Sequence, residues 1–144
     1  MIFTFDYAPV AQARPRMTPR PYPHMYDPAP VKRFKKIIGA EAEKQLEELG
    51  QQYSDKAIGV ITTFFRPLQK SLSNKEATRR LKRITLPTVK PDLDNYEKSF
   101  FDSLNKVLWK DDCQLVMQQS RKVYSDKPRI EVEVFEINGG LSHE

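Results

Sequence analysis

The residues of this 144-residue chain best suited to chemistry are acidic and fall in two places. Asp92 and Asp94 lie in the run Lys90-Pro-Asp-Leu-Asp-Asn-Tyr-Glu-Lys98, and Asp111 and Asp112 form a pair further on. On a regular helix, side chains two positions apart point about 200° away from each other, whereas in extended chain they point to one side. A helix that begins at Asp92 reconciles the two. Pro91 holds Lys90 extended, Asp92 suits the N-cap and Asp94 falls in the first turn, so both carboxylates can turn toward one point. Lys98 follows Asp94 by four residues, one turn along the same face, where it can pair with Asp94 or reach a shared anionic ligand.

An ammonium beside carboxylates and a scissile phosphate offsets charge that develops in the transition state. Asp111 or Asp112 would supply a third carboxylate. A few hard oxygen donors, with positions left for water and phosphate, suit Mg²⁺, with Mn²⁺ as a substitute, rather than zinc. Such an ion activates water and clamps a phosphodiester for in-line displacement. Each piece also has an ordinary use: Asp92 as a helix cap, Asp94 with Lys98 as a surface pair, Asp111-Asp112 as a turn. The combination, in a basic protein without other metal ligands, is what points to phosphodiester chemistry.

Other chemistries have less to build on. The histidines, His24 and His143, are far apart, and Cys113 is the single cysteine, which excludes an intrachain disulfide and leaves zinc or a Ser/His/Asp arrangement without partners. No apolar stretch approaches the length of a membrane span, and the first five residues read as a strand rather than a signal peptide; the expectation is a cytoplasmic protein with no membrane contact.

The charge favours a polyanionic partner. The net charge is +5 with a pI near 9.3. From Arg66 to Lys90 eight basic residues (Arg66, Lys70, Lys75, Arg79, Arg80, Lys82, Arg83, Lys90) face one acid, Glu76, whereas an ordinary solvated surface mixes its signs. Arg14, Arg16 and Arg20 are interleaved with Tyr22 and Tyr26 in a Pro/Arg-rich run, a composition suited to phosphate contact. Lys32, Arg33, Lys35 and Lys36 crowd the start of a helix, where positive charge forgoes about a few tenths of a kcal/mol per residue unless a ligand such as phosphate uses it.

The elements that must position these groups follow from periodicity. A strand is expected at residues 2–5, then a long loop over 9–30, since proline lacks a ladder donor. Val31, Phe34, Ile38, Ala42, Leu46 and Leu49 recur at helical spacing, with Gly50 placed to cap. A buried strand over 57–65, a short basic helix over 74–84 and an amphipathic helix over 93–108 follow. Strands over 116–124 and 130–137 flank a turn at 125–128, and a frayed tail is expected from 138. The length fits one domain, residues 1–144, of α+β class.

Lys90-Pro-Asp-Leu-Asp-Asn, Lys98, Phe101-Asp-Ser-Leu104 and Trp109-Lys-Asp-Asp-Cys-Gln114 resemble the signature of the RusA family of Holliday-junction resolvases. Arg14-Pro15-Arg16 and the helix that follows are also similar, so the likeness spans most of the chain. It implies that Asp92, Asp94 and Asp112, the last chosen on motif position, are catalytic acids that hold Mg²⁺, and that Lys98 assists at the phosphate. It further implies a mixed β-sheet packed by helices and a homodimer that makes paired incisions in a four-way junction during recombination and repair. The DNA would lie along Arg14, Arg16, Arg20, Lys32, Arg33, Lys35, Lys36, Arg79, Arg80, Lys82, Arg83 and Lys90. Cys113 departs from the small residue that the family carries there.

Two other readings compete: a nuclease of broader branched-DNA specificity, and a nucleic-acid-binding protein whose acids are structural. A phosphatase with an Asp-x-Asp nucleophile is set aside, because that nucleophile ends a hydrophobic strand, whereas Pro87 and Pro91 break the approach here.

Overall fold

Three phenylalanines and a tyrosine mark where the chain closes on itself. Phe64 stacks on Tyr96 at 5.4 Å and meets Phe100 edge-on at 5.7 Å, and Phe100 in turn meets Phe5 edge-on at 5.5 Å. These rings belong to a sheet and to the helix that opens at Asp92. The computed structural model describes residues 1–19 and 21–138; Arg20, His143 and the expected frayed tail beyond Asn138 lie outside the described residues.

The order of elements is β1 (Ile2–Phe5), β2 (Arg16–Thr18), β3 (His24–Tyr26), α1 (Ala29–Glu48), β4 (Ile58–Pro67), α2 (Asn74–Leu81), α3 (Leu93–Leu104), a one-turn 3₁₀ helix (Asp112–Gln114), β5 (Leu115–Ser125) and β6 (Arg129–Glu136). The main sheet runs β1-β6-β4-β5, antiparallel except for β4 with β5, so it is mixed and the fold is α+β. The parallel pair requires a crossover, and α2 and α3 lie in it. Val60 and Phe64 of β4, Ile130, Val132 and Val134 of β6, and Phe3 and Phe5 of β1 form one core with Phe34, Ile38 and Ala42 of α1 and Phe100 and Leu104 of α3.

α1 ends as expected, with Gly50 at φ +66° donating to the Glu47 carbonyl. Three expectations need correction. The 9–30 loop contains a small hairpin, with Arg16 opposite Tyr26 and Thr18 opposite His24. Arg-Met-Thr and His-Met-Tyr are free of proline, so each has the backbone donors a ladder needs. The short basic helix stops at Leu81, because Arg83 turns to φ 60° and Ile84 N donates back to the Arg79 carbonyl. α3 likewise stops at Leu104: Asn105 is extended and Lys106 has φ 67°. Leu108 is still buried, but the turn returns it to the core rather than a fourth helical turn.

Candidate active site

Asp92 is the N-cap of α3, with φ −68° and ψ 150°, yet its side chain makes no capping bond. An N-cap carboxylate ordinarily accepts from the backbone two or three residues on. Asp94 sits in the first turn, where the helix dipole favours an anion. Both are exposed, and neither side chain has a hydrogen bond or ion pair among the described residues. The bent segment before them, with a cis Lys90–Pro91 bond, is gripped from the sheet. Lys122 Nζ of β5 donates to the carbonyls of Val89 at 3.0 Å and Pro91 at 2.8 Å, and Arg66 Nη1 of β4 donates to that of Lys90 at 3.2 Å. Tyr96 anchors the next turn on Phe64, and burial pushes its phenol above the ordinary value.

Lys98 is exposed on the same helix and forms no ion pair with Asp94 among the described residues. Its charge is felt by Asp27, which is held below the usual carboxylate range chiefly by the Lys35 ammonium at 2.8 Å, then by Gln12 and more weakly by Lys98.

The other acidic pair lies past the far end of α3. Trp109, fully buried and edge-on to Phe101 at 6.3 Å, donates from Nε1 to Asp112 Oδ1 at 2.8 Å. Asp111 belongs to a capping box: its Oδ1 accepts from Cys113 N at 3.1 Å while its own N–H donates to Gln114 Oε1 at 2.8 Å. The Cys113 amide holds the Asp111 carboxyl below its ordinary value, and Asp111 in turn holds the Cys113 thiol above its own. Gln114 Nε2 ties this turn to the carbonyls of Ser54 and Lys56. The structure therefore occupies Asp111 with the turn and leaves Asp112 with one oxygen engaged.

The twelve residues of α3 put about 18 Å of helix between the two acidic ends. Among the described residues no three acid, imidazole or thiol groups gather as a metal-binding set. The donor chemistry at the head of α3, exposed carboxylates without protein partners, fits a hard divalent cation. Within one chain it supplies two of the three expected acids.

The basic residues divide. Arg14 and Arg16 project from the β2–β3 arm, which also exposes Met17, Tyr22, Met25 and Tyr26. Lys32, Arg33 and Lys36 are exposed at the start of α1, a helix with no side-chain cap and no acid in its first turn. Lys35 turns inward and bridges Asp27 at 2.8 Å and Asp102 at 3.2 Å, tying the arm to α3. Arg79, Lys82, Arg83 and Lys90 are exposed; Arg80 pairs with Glu76 at 3.0 Å and lies 4.4 Å from the Tyr124 ring centroid. Reasoning from sequence missed Lys122, Arg66 and Trp109 as the groups that hold the site. Trp109 stands three residues before Asp112, a visible signal, whereas nothing near Lys122 marks it.

A basic α+β domain that presents carboxylates without partners among the described residues at a helix start, beside exposed lysines and arginines, has the makings of a nuclease. The chain matches the endodeoxyribonuclease RusA family over residues 6–135 and belongs to that family. It is 38% identical over 139 residues to the uncharacterized protein YqaN of Bacillus subtilis (strain 168), covering 94% of this chain and 96% of that protein. It is also 37% identical over 73 residues to the crossover junction endodeoxyribonuclease rusA of Lactococcus phage r1t, covering 49% of this chain and 56% of the phage protein. Among the described residues no helix is long and apolar enough to cross a membrane.

Proposed function

We propose that this chain is a Mg²⁺-dependent endonuclease that resolves four-way DNA junctions in recombination and repair, acting in the cytoplasm as a homodimer. The observation that carries the reading is the pair of exposed carboxylates at the head of α3 with no partner among the described residues, in a chain related to a phage crossover junction endonuclease. Asp92, Asp94 and Asp112 would hold the ion. When bound it supplies a polarised water and charge for the phosphodiester oxygens.

The chain's own residues do the rest. Lys122 and Arg66 fix the backbone before Asp92, so the carboxylates enter the site from a segment tied to the sheet rather than from a loose loop. Lys98, one turn after Asp94, carries an ammonium with no ion pair among the described residues, suited to a phosphate oxygen. The exposed cations of the arm, of the α1 start and of the α2 segment are suited to grip the backbone of branched DNA, a sequence-independent attraction that weakens with salt. A two-fold-symmetric junction needs matched cuts on opposed strands, which a C₂ pair supplies.

The test is incubation with immobile and mobile four-way junctions, three-way junctions and linear duplex, in Mg²⁺ or EDTA. Paired incisions in the four-way junction that require Mg²⁺ are expected. Equal cutting of all branched forms would favour a broader nuclease, and binding without metal-dependent incision would overturn the catalytic reading.

A further inference from the structure

The β2–β3 arm differs from the rest of the surface in what it exposes. From Ala13 to Tyr26 every described residue is exposed except the half-buried Thr18. Large apolar side chains are nevertheless frequent there: Met17, Met25 and Tyr26 are exposed, and Tyr22, at 80%, is more exposed than any other large apolar residue described. Surface of this kind marks a place of interaction. Strand alternation puts the cross-strand pair Met17 and Met25 on one face, and Arg16 with Tyr26 on the other. Tyr22 stands in the connection between Pro21 and Pro23, whose fixed φ leaves it less freedom to lose on binding. His24 Nδ1 donates to the Tyr22 carbonyl at 2.9 Å and holds the turn.

Both ends of the arm are tied to α3. On the way in, Gln12 N donates to the carbonyl of Asn95, the residue after Asp94, at 2.8 Å, and the Val10 carbonyl accepts from the Ser99 hydroxyl. On the way out, Asp27 accepts from Gln12 Nε2 at 2.9 Å and pairs with Lys35, which reaches on to Asp102. Tyr22 is five residues from Asp27, so it stands within about 17 Å of that root, which is about five nucleotide steps along a DNA strand. Charge narrows the occupant. No acid lies between Asp6 and Asp27, and Arg14 and Arg16 are exposed. A second copy of the arm would bring like charge against it, whereas DNA joins a polyanionic backbone to apolar base faces.

We propose that the arm is a base-stacking wedge: Tyr22 stacks on a base exposed at the branch point of the DNA, the Met17–Met25 face packs on its neighbour, and Arg14 and Arg16 hold the flanking phosphates. Linear duplex hides its base faces, whereas a branch point offers them where the stacks end. Stacking on an aromatic ring accepts any base, because each has a π-face, and apolar side chains that enter a base step unstack it. The arm thus contributes selectivity for branched over linear DNA, independent of sequence. The proposal rests on the nuclease reading for what is cut; the stacking itself needs no divalent ion.

The test uses four-way junctions that carry a fluorescent base analogue, one that brightens when unstacked, either at the branch point or midway along a duplex arm, titrated with protein in EDTA. Wild type should brighten the branch-point probe and leave the other unchanged. Tyr22→Ala should lose most of that signal and bind the junction about 5- to 100-fold more weakly, whereas Tyr22→Trp should keep both. With Mg²⁺, Tyr22→Ala should cut an intact junction more slowly than wild type, yet recover on one whose branch-point bases are mismatched and already unstacked. A merely structural role for Tyr22 gives no such recovery. If folded Tyr22→Ala binds and brightens the branch-point probe as wild type does, as an arm that serves a protein partner or a second copy would, or if wild type never brightens it, the proposal is overturned. Brightening that depends on Tyr22, in a protein that never cuts DNA, would uphold the wedge and sink the nuclease reading alone.

Discussion

At the head of α3 two carboxylates have no partner among the described residues, whereas past its tail two others are taken up by the chain. Asp92 occupies a cap position without capping, and Asp94 extends into solvent. Asp111 closes a capping box, and Asp112 is steered by an indole N–H. The residue type is the same at both ends, so the difference comes from surroundings. A carboxylate with no protein donors keeps its lone pairs for a ligand, whereas one that accepts backbone amides is already neutralised in part. Orientation by a buried Trp109 is an intermediate case: one oxygen is fixed and the other is left to point.

The sharpest way to break this comparison is to treat the neighbours Asp111 and Asp112 alike. Asp112→Asn should lower junction incision by about 10²-fold or more, the size of effect seen when a group that stabilises transition-state charge is lost. Asp111→Asn should leave incision near wild type and lower the melting temperature slightly, because the capping box weakens. Equal losses from both substitutions would contradict the separation of roles.

A second contrast lies between cations that face solvent and those the fold has engaged. Lys82→Glu with Arg83→Glu should weaken junction binding and reduce the dependence of log K on log salt by about one per reversed charge. Lys35→Met should weaken it less, since Lys35 spans Asp27 and Asp102. Titrations at several salt concentrations, without divalent ion, measure both.

Trp109→Phe keeps an aromatic ring against Phe101 but removes the donor to Asp112. It should cost about 1–2 kcal/mol of stability and reduce incision more than binding, because the third acid loses its aim. A urea melt beside an incision assay checks it. The smallest effect is expected at the arm. Asp27 has a folded-state pKa below its unfolded value, so it adds stability above the ordinary carboxylate range and loses that contribution as pH falls through the folded pKa. Wild type and Asp27→Asn should thus differ in urea midpoint near neutral pH and converge in acid.

Much of this architecture is legible in the sequence because the signals are local. Helical spacing from Val31 to Leu49 with Gly50 after it, the alternation of Ile130, Val132 and Val134, and Asp92 before an amphipathic run each report their own backbone. The misses come where long-range contacts decide. Leu108 keeps helical spacing with Leu104, yet a bond from Lys106 N to the Trp109 carbonyl turns the chain first. Lys122 looks like any strand lysine until the crossover brings Pro91 beneath it. The acid set was readable as residues, but no spacing rule reveals that a straight helix keeps Asp94 and Asp112 apart.

The central claim is that the free carboxylates at the head of α3 perform the chemistry, and Asp94→Asn tests it most directly. The amide keeps the volume and some hydrogen bonding but removes the charge that would hold a divalent cation. Junction binding is measured by gel shift without divalent ion, and incision with Mg²⁺, for wild type and the folded variant side by side. The account predicts that incision disappears while binding is retained or strengthened, since an acid near phosphates repels them. Incision by Asp94→Asn at a near-normal rate would contradict it.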